Sequence, residues 1–173
     1  MAYCNQTLAG ISLDCSTSLG GIKEVYIANY DDVVRVVVTE DEIDEIEMKE
    51  GTYFKKYQFR KQTGSMTSTL NVDETNGINY VSTELSLVFT KMETAKRLEM
   101  SALAVGQLAV IVKDSNNKYW YLGYNDYVCA TAGGANTGTS KGDSNNYTLT
   151  LKDESDTFPF EVMPSTIASI IGE

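Results

Sequence analysis

"INYVSTELSLVFTKMETAKRLEMSALAVG", residues 78–106, changes its period half-way. In the first part Tyr80, Ser82, Glu84 and Ser86 fall on one side and Val81, Leu85, Leu87 and Phe89 on the other. That two-residue alternation belongs to a strand with one dry face. After Thr90 the apolar residues recur at three and four. Met92, Ala95, Leu98, Ala102 and Leu103 form one stripe and predict an amphipathic helix over about 91–104. Thr90 and Glu93 have the spacing of a capping box, in which each side chain satisfies a backbone N–H at the helix start. Glu93 and Arg97 stand four apart, acid first, the favourable order for a surface pair. Gly106 follows the last turn and suits a left-handed cap. A lone amphipathic helix must bury its stripe, and strands surround it in sequence. The expected architecture is therefore mainly β, a sandwich or barrel with one helix over an open end or face. Two readings of the charged side follow: a solvated face, or a contact with a neighbouring subunit through Lys91, Lys96 and Arg97.

On the N-terminal side, "SMTSTLNV" (65–72) runs to a turn at "DETNG", where Asn76-Gly77 is a hairpin signal. Together with 78–90 this makes a long hairpin, which is expected to begin already in "TYFKKYQFRKQ" (52–62). The aromatics Tyr53, Tyr57 and Phe59 there interleave with Lys55, Lys56, Arg60 and Lys61. Such a pattern suits single-stranded nucleic acid, or more simply a strand with one wet face. Further upstream, "KEVYIAN" (23–29) and "VVRVVVT" (33–39) read as strands on either side of an Asp31-Asp32 turn. The near-continuous valines, Val34, Val36 and Val38 among them, point to burial on both faces or to a subunit contact. Residues 40–50 hold seven carboxylates around Ile43, Ile46 and Met48, and leave a helical turn, an acidic loop and an edge strand open. They lack the glycine-containing twelve-residue calcium loop. Residues 1–21 are small and polar, an extended arm closed by Gly20-Gly21.

On the C-terminal side, 107–130 reads as a hairpin turning at Asp114–Asn117, with Tyr119, Trp120, Tyr121 and Leu122 on the return. The run "TAGGANTGTSKGDSNN" (131–146) has no large apolar residue and reads as a long polar loop. "YTLTLKDE" (147–154) and "FPFEVMP" (158–164) close the sheets, and "STIASIIGE" ends as a short apolar turn or strand.

The whole chain, 173 residues, suits a single domain (1–173) with a proper core. Fourteen basic and 24 acidic residues give a net charge of −10, with no basic patch to grip phosphates. Histidine is absent, which removes the commonest general base, nucleophile partner and metal ligand. The three cysteines, Cys4, Cys15 and Cys129, have no C-x-x-C spacing, and reduced thiols are the expectation, with a Cys4–Cys15 bridge left open. There is no signal-peptide pattern and no apolar run of about twenty residues, so neither secretion nor a membrane span is expected. The acid pairs Asp31/Asp32, Glu40/Asp41 and Asp153/Glu154 are the residues a carboxylate-dependent polysaccharide hydrolase would draw on. No catalytic motif joins them. No catalytic residue, cofactor or metal is expected.

The order of arm, strands, long hairpin, helix, second hairpin, polar loop and closing strands, with "NYVSTELSLVFTKMETAKRLEMSAL" and "LAVIVKDSNNKYWYLG", resembles the tail tube or major tail proteins of bacteriophages. It is similar to structural proteins of phages of gut Bacteroidetes. The resemblance implies a virion structural protein, assembled in the host cytoplasm. Its copies would close into rings, usually hexameric, that stack into a tube through which DNA passes without specific binding. Its partners would be itself and other virion proteins. The candidate subunit interface is then Val34, Val36, Val38, Tyr53, Tyr57, Phe59, Lys91, Lys96 and Arg97. The same texture also fits a capsid decoration or a head–tail connector, and more distantly a carbohydrate-binding or hydrolase domain.

Overall fold

The computed structural model describes residues 7–172. In chain order the elements are β1 (Ile22–Asn29), β2 (Val33–Thr39), β3 (Glu42–Met48), β4 (Lys55–Tyr57), β5 (Ser65–Asp73) and β6 (Ile78–Thr90). Then follow α1 (Thr94–Val105), β7 (Leu108–Asp114), β8 (Tyr119–Leu122), β9 (Cys129–Asn136), β10 (Asn146–Ser155), β11 (Phe160–Val162) and α2 (Pro164–Ile170). A seven-stranded sheet has the order β2-β3-β11-β8-β7-β1-β4, and a four-stranded sheet the order β5-β6-β10-β9. The fold is mainly β, a sandwich with a flanking helix, and neither sheet closes into a barrel.

The apolar runs explain the layering. β7 is buried at every position from Leu108 to Val112. Its even-numbered residues Leu108, Val110 and Val112 join Val25, Ile27, Leu85, Leu87, Leu149 and Leu151 between the sheets. Its odd-numbered residues Ala109 and Ile111 face the other way, onto Tyr26, Phe54, Tyr121, Ile167 and Ile170. Both faces of the central strands are covered, which is why the sequence there runs apolar without alternation. β6 has one dry face, and its alternation is strict: Val81, Thr83, Leu85, Leu87 and Phe89 are buried. Glu24 ties three strands together: it meets Lys56 of β4 at 2.6 Å and Lys113 of β7 at 3.9 Å, and accepts from the Tyr26 hydroxyl. Its burial raises the carboxyl pKa, but these bonds and charges outweigh it and hold the group below the ordinary value.

Several expectations are corrected. β2 is not buried on both faces. It is the outermost strand of its sheet, and Val34 is 55% exposed. The acidic run forms β3, joined to β2 by Glu40 and Asp41 at φ 52° and 65°. Two left-handed residues match the twist of a tight hairpin, and acids replace the usual Asn-Gly there. Residues 52–62 are not the start of the long hairpin. Lys55–Tyr57 pair with β1 in the seven-stranded sheet, and the hairpin is β5–β6 alone. The predicted loop 131–146 is a strand as far as Asn136, paired with β10, so the loop proper is 137–145. The C-terminal run is the helix α2 rather than a turn or strand; Pro164 lies in its first turn and Ile167 and Ile170 are buried. The arm is as expected without regular structure over 7–20. Cys15 and Cys129 are exposed, whereas Cys4, and with it the possible Cys4–Cys15 bridge, lies outside the described residues.

Candidate assembly surfaces

Helix α1 lies along one open side of the sandwich, with β4 and β1 on one flank and β9 on the other. Its capping differs from the sequence expectation. Glu93 is the N-cap residue, with no side-chain cap bond. The junction is held instead by Asn145 of the 137–145 loop, whose main-chain oxygen accepts from Lys91 N–H at 2.7 Å and whose side chain accepts from Met92 N–H at 2.7 Å. Gly106 has φ −75°, an extended exit rather than a left-handed cap; glycine suits it through close packing, since a Cβ there would lie 3.0 Å from Leu108 Cδ2 and 3.1 Å from the Ala102 carbonyl oxygen. The buried stripe is also rotated. Leu103 is buried, Met92 and Met100 pack against the inter-sheet core, and Leu98 is 57% exposed. Ala95 and Ala102 are exposed with Leu98, so much of the expected dry stripe faces outward.

The nine candidate interface residues do not form one surface. Val34, Val36 and Val38 lie on β2, at the opposite edge of the seven-stranded sheet from β4. Val36 and Val38 are half-buried against the chain's own second core, leaving Val34 free. Tyr57 and Phe59 pack on the inter-sheet core, and the Tyr57 hydroxyl donates to Glu99 of α1. Burial and that bond push the Tyr57 phenol well above its ordinary pKa. Tyr53 is half-exposed, and its neighbour Phe54 is the residue that fills the core. On the helix, Lys91 pairs with Glu93 at 2.9 Å. Lys96 donates to the Thr90 carbonyl at 2.6 Å, an internal cap rather than a free cation. Arg97 is exposed and, among the described residues, no carboxylate lies within 4 Å of it.

Other exposed surfaces lie outside the nine candidate residues. In the arm Leu8, Ile11 and Leu13 are 90%, 103% and 92% exposed. At the far end of the β5–β6 hairpin, β10 reaches only to Val81, so the tip projects as a two-stranded ribbon. That ribbon shows Leu70 and Val72 on one face and Ile78 and Tyr80 on the other. The β2–β3 ribbon is acidic: Arg35 meets Glu45 at 3.6 Å and Glu47 at 3.3 Å, while Glu40, Asp41, Asp44 and Glu50 are exposed around it. The signal in the sequence for the arm is a few large apolar residues, Leu8, Ile11, Leu13 and Leu19 among them, in an otherwise small and polar segment.

One buried acid stands apart. Asp153 continues the inner face of β10 after Tyr147, Leu149 and Leu151, and among the described residues its Oδ1 has no hydrogen-bond partner. Burial, helped by the charges of Asp126 and Glu154, raises its pKa against the backbone N–H groups of Gly123 and Glu154, which lower it. Its sequence neighbour Glu154 is exposed and pairs with Lys152 at 2.8 Å, so the two acids of that pair do not share a site. Among the described residues no cluster of three or more His, Cys, Asp or Glu side chains is placed to hold a metal. Among the described residues no helix is long and apolar enough to cross a membrane. No family model matches the chain, and no curated protein or solved structure matches it.

Proposed function

We propose that this chain is a virion building block of a bacteriophage tail, which closes into rings and stacks into a tube that conducts DNA. The observation that carries the reading is surplus apolar surface. The sandwich has two filled cores, yet Leu8, Ile11 and Leu13 on the arm, Val72 on the hairpin ribbon and Val105 on α1 are 62–103% exposed. Each large apolar side chain left in water forgoes roughly 1.5–3 kcal/mol that burial would supply. Scattered exposed leucines are ordinary, but here they are concentrated on projections, where partners sit. The free edge of β2 offers main-chain pairing within a ring, and the hairpin ribbon offers reach between rings. The acidic β2–β3 ribbon suits a lumen wall, since like charge keeps passing DNA from sticking.

Negative-stain microscopy of the concentrated, purified chain tests this. Rings and stacked tubes are expected. Isolated small particles at every concentration, or an antibody against the chain that labels capsid shells and leaves tails bare, would overturn the tail reading.

A further inference from the structure

We infer that the arm of one copy lies in the groove between α1 and β9 of the next, with residues 11–15 adding a strand antiparallel to β9. The inference rests on the reading of the chain as a self-assembling subunit and names the contact that links its copies. The arm has a fixed root. The Asn116 side chain at the β7–β8 turn accepts from Leu19 N–H at 2.9 Å and donates to the Leu19 carbonyl at 3.2 Å, and Ser115 N–H bonds the Gly21 carbonyl. Beyond that root its large apolar side chains touch almost nothing. Gly10, at φ +77°, turns the chain just before Ile11. In an extended run Ile11 and Leu13 then share one face, with Ser12 and Asp14 on the other.

The groove matches this arm in shape and hydrogen bonding. It measures about 520 Å³, with Arg97, Met100 and Ala104 on the helix wall and Ala130, Gly133 and Ala135 on the strand wall. Small side chains on β9 leave space for branched ones from outside. β9 is the outermost strand of its sheet, so one row of its backbone N–H and C=O groups has no strand partner. A segment added there gains ladder bonds and seats alternate side chains in the groove, and antiparallel pairing is the more stable choice. With Ile11 set beside Gly133, the chain runs back along β9 past its bulge at 130–132 and brings Cys15 near Cys129, within reach of a short linker. Every copy carries one arm and one groove, so the contact is head-to-tail, and such contacts close into rings or run on as filaments.

The two exposed cysteines provide the test. The full-length Cys4→Ser variant keeps only Cys15 and Cys129 as thiols. It is treated with a short bismaleimide at a concentration where the chain assembles, and the linked peptides are mapped by mass spectrometry. Cys15–Cys129 links that join different copies into a ladder are expected. They should be lost when Ile11→Asp and Leu13→Asp are added, with the melting temperature of the dilute, unassembled chain unchanged because both side chains are exposed there. Links confined to single chains, links only between Cys15 and Cys15, or no links at all would overturn the arm contact. If the Ile11→Asp, Leu13→Asp variant assembles as the parent does, the arm contact fails and the reading of the chain as an assembling subunit stands. If the parent never assembles, both fail.

Discussion

Leu98 and Leu103 sit five residues apart on α1 and meet opposite surroundings. Leu103 is buried in the inter-sheet core, and Leu98 is more than half exposed. Leu103→Asp, which places a charge in that core, is expected to unfold the chain, whereas Leu98→Asp should change stability by less than about 0.5 kcal/mol. Thermal melts of the two variants compare them directly. The sequence could not separate them, because both belong to the same three-and-four spacing and only the direction in which the helix docks distinguishes them. Asp153 was visible only as half of an acid pair, and its burial came from the register of β10. Its folded pKa is raised above the ordinary carboxylate value, so between the two values the folded chain holds more protons than the unfolded one. Stability should therefore fall as pH rises through that window and stay lower above it. Asp153→Asn keeps an oxygen for the Gly123 and Glu154 N–H groups and removes the charge. It should be more stable than the parent at neutral pH, with a flatter dependence of melting temperature on pH; a neutral-pH melt at or below that of the parent would contradict the buried-charge account.

Elements were legible where a segment's own pattern determines its form. The alternation of β6, the hairpin turning at Asp114–Asn117 and the existence of α1 all follow from local period and turn chemistry. They were illegible where a neighbour supplies the form. β9 has the composition of a loop, "CATAGGAN", and is a strand because β10 offers it a ladder along its whole length. The start of α1 depends on Asn145, more than fifty residues downstream, rather than on the local Thr90–Glu93 pair. Asn145→Ala is therefore expected to cost about 1 kcal/mol, the usual value of a lost cap, and to speed hydrogen exchange at Met92. Thr90→Ala should cost much less, and the difference can be read from denaturant midpoints. Within the 137–145 loop, Gly138 has φ +70° and a Cβ there would lie 2.4 Å from Asp143 Cβ. Asp143 accepts from the N–H groups of Thr139 and Ser140, bonds that hold its carboxyl below the ordinary pKa. Gly138→Ala should break this loop and, through Asn145, loosen the helix start as well.

For the whole molecule, the sandwich and its flanking helix were legible because two long apolar-alternating segments and one helical segment admit few other packings. The candidate interface was not. Sequence reading favoured valines and aromatics, and the fold uses most of them itself, leaving Val34 and Arg97 as the best placed of the nine. The sequence points to the arm and the long hairpin as segments that neighbouring copies would meet, but not to Leu8, Ile11 and Leu13 or to the ribbon residues individually, because which side chains the chain's own core leaves uncovered depends on the packing. The central claim is that this surplus surface is covered by copies of the same chain. Sedimentation velocity of the unmodified protein over a rising concentration series tests it most directly. The account predicts a shift from monomer to a closed ring and then to much larger stacked species, whereas a single monomer boundary across the whole series would contradict it.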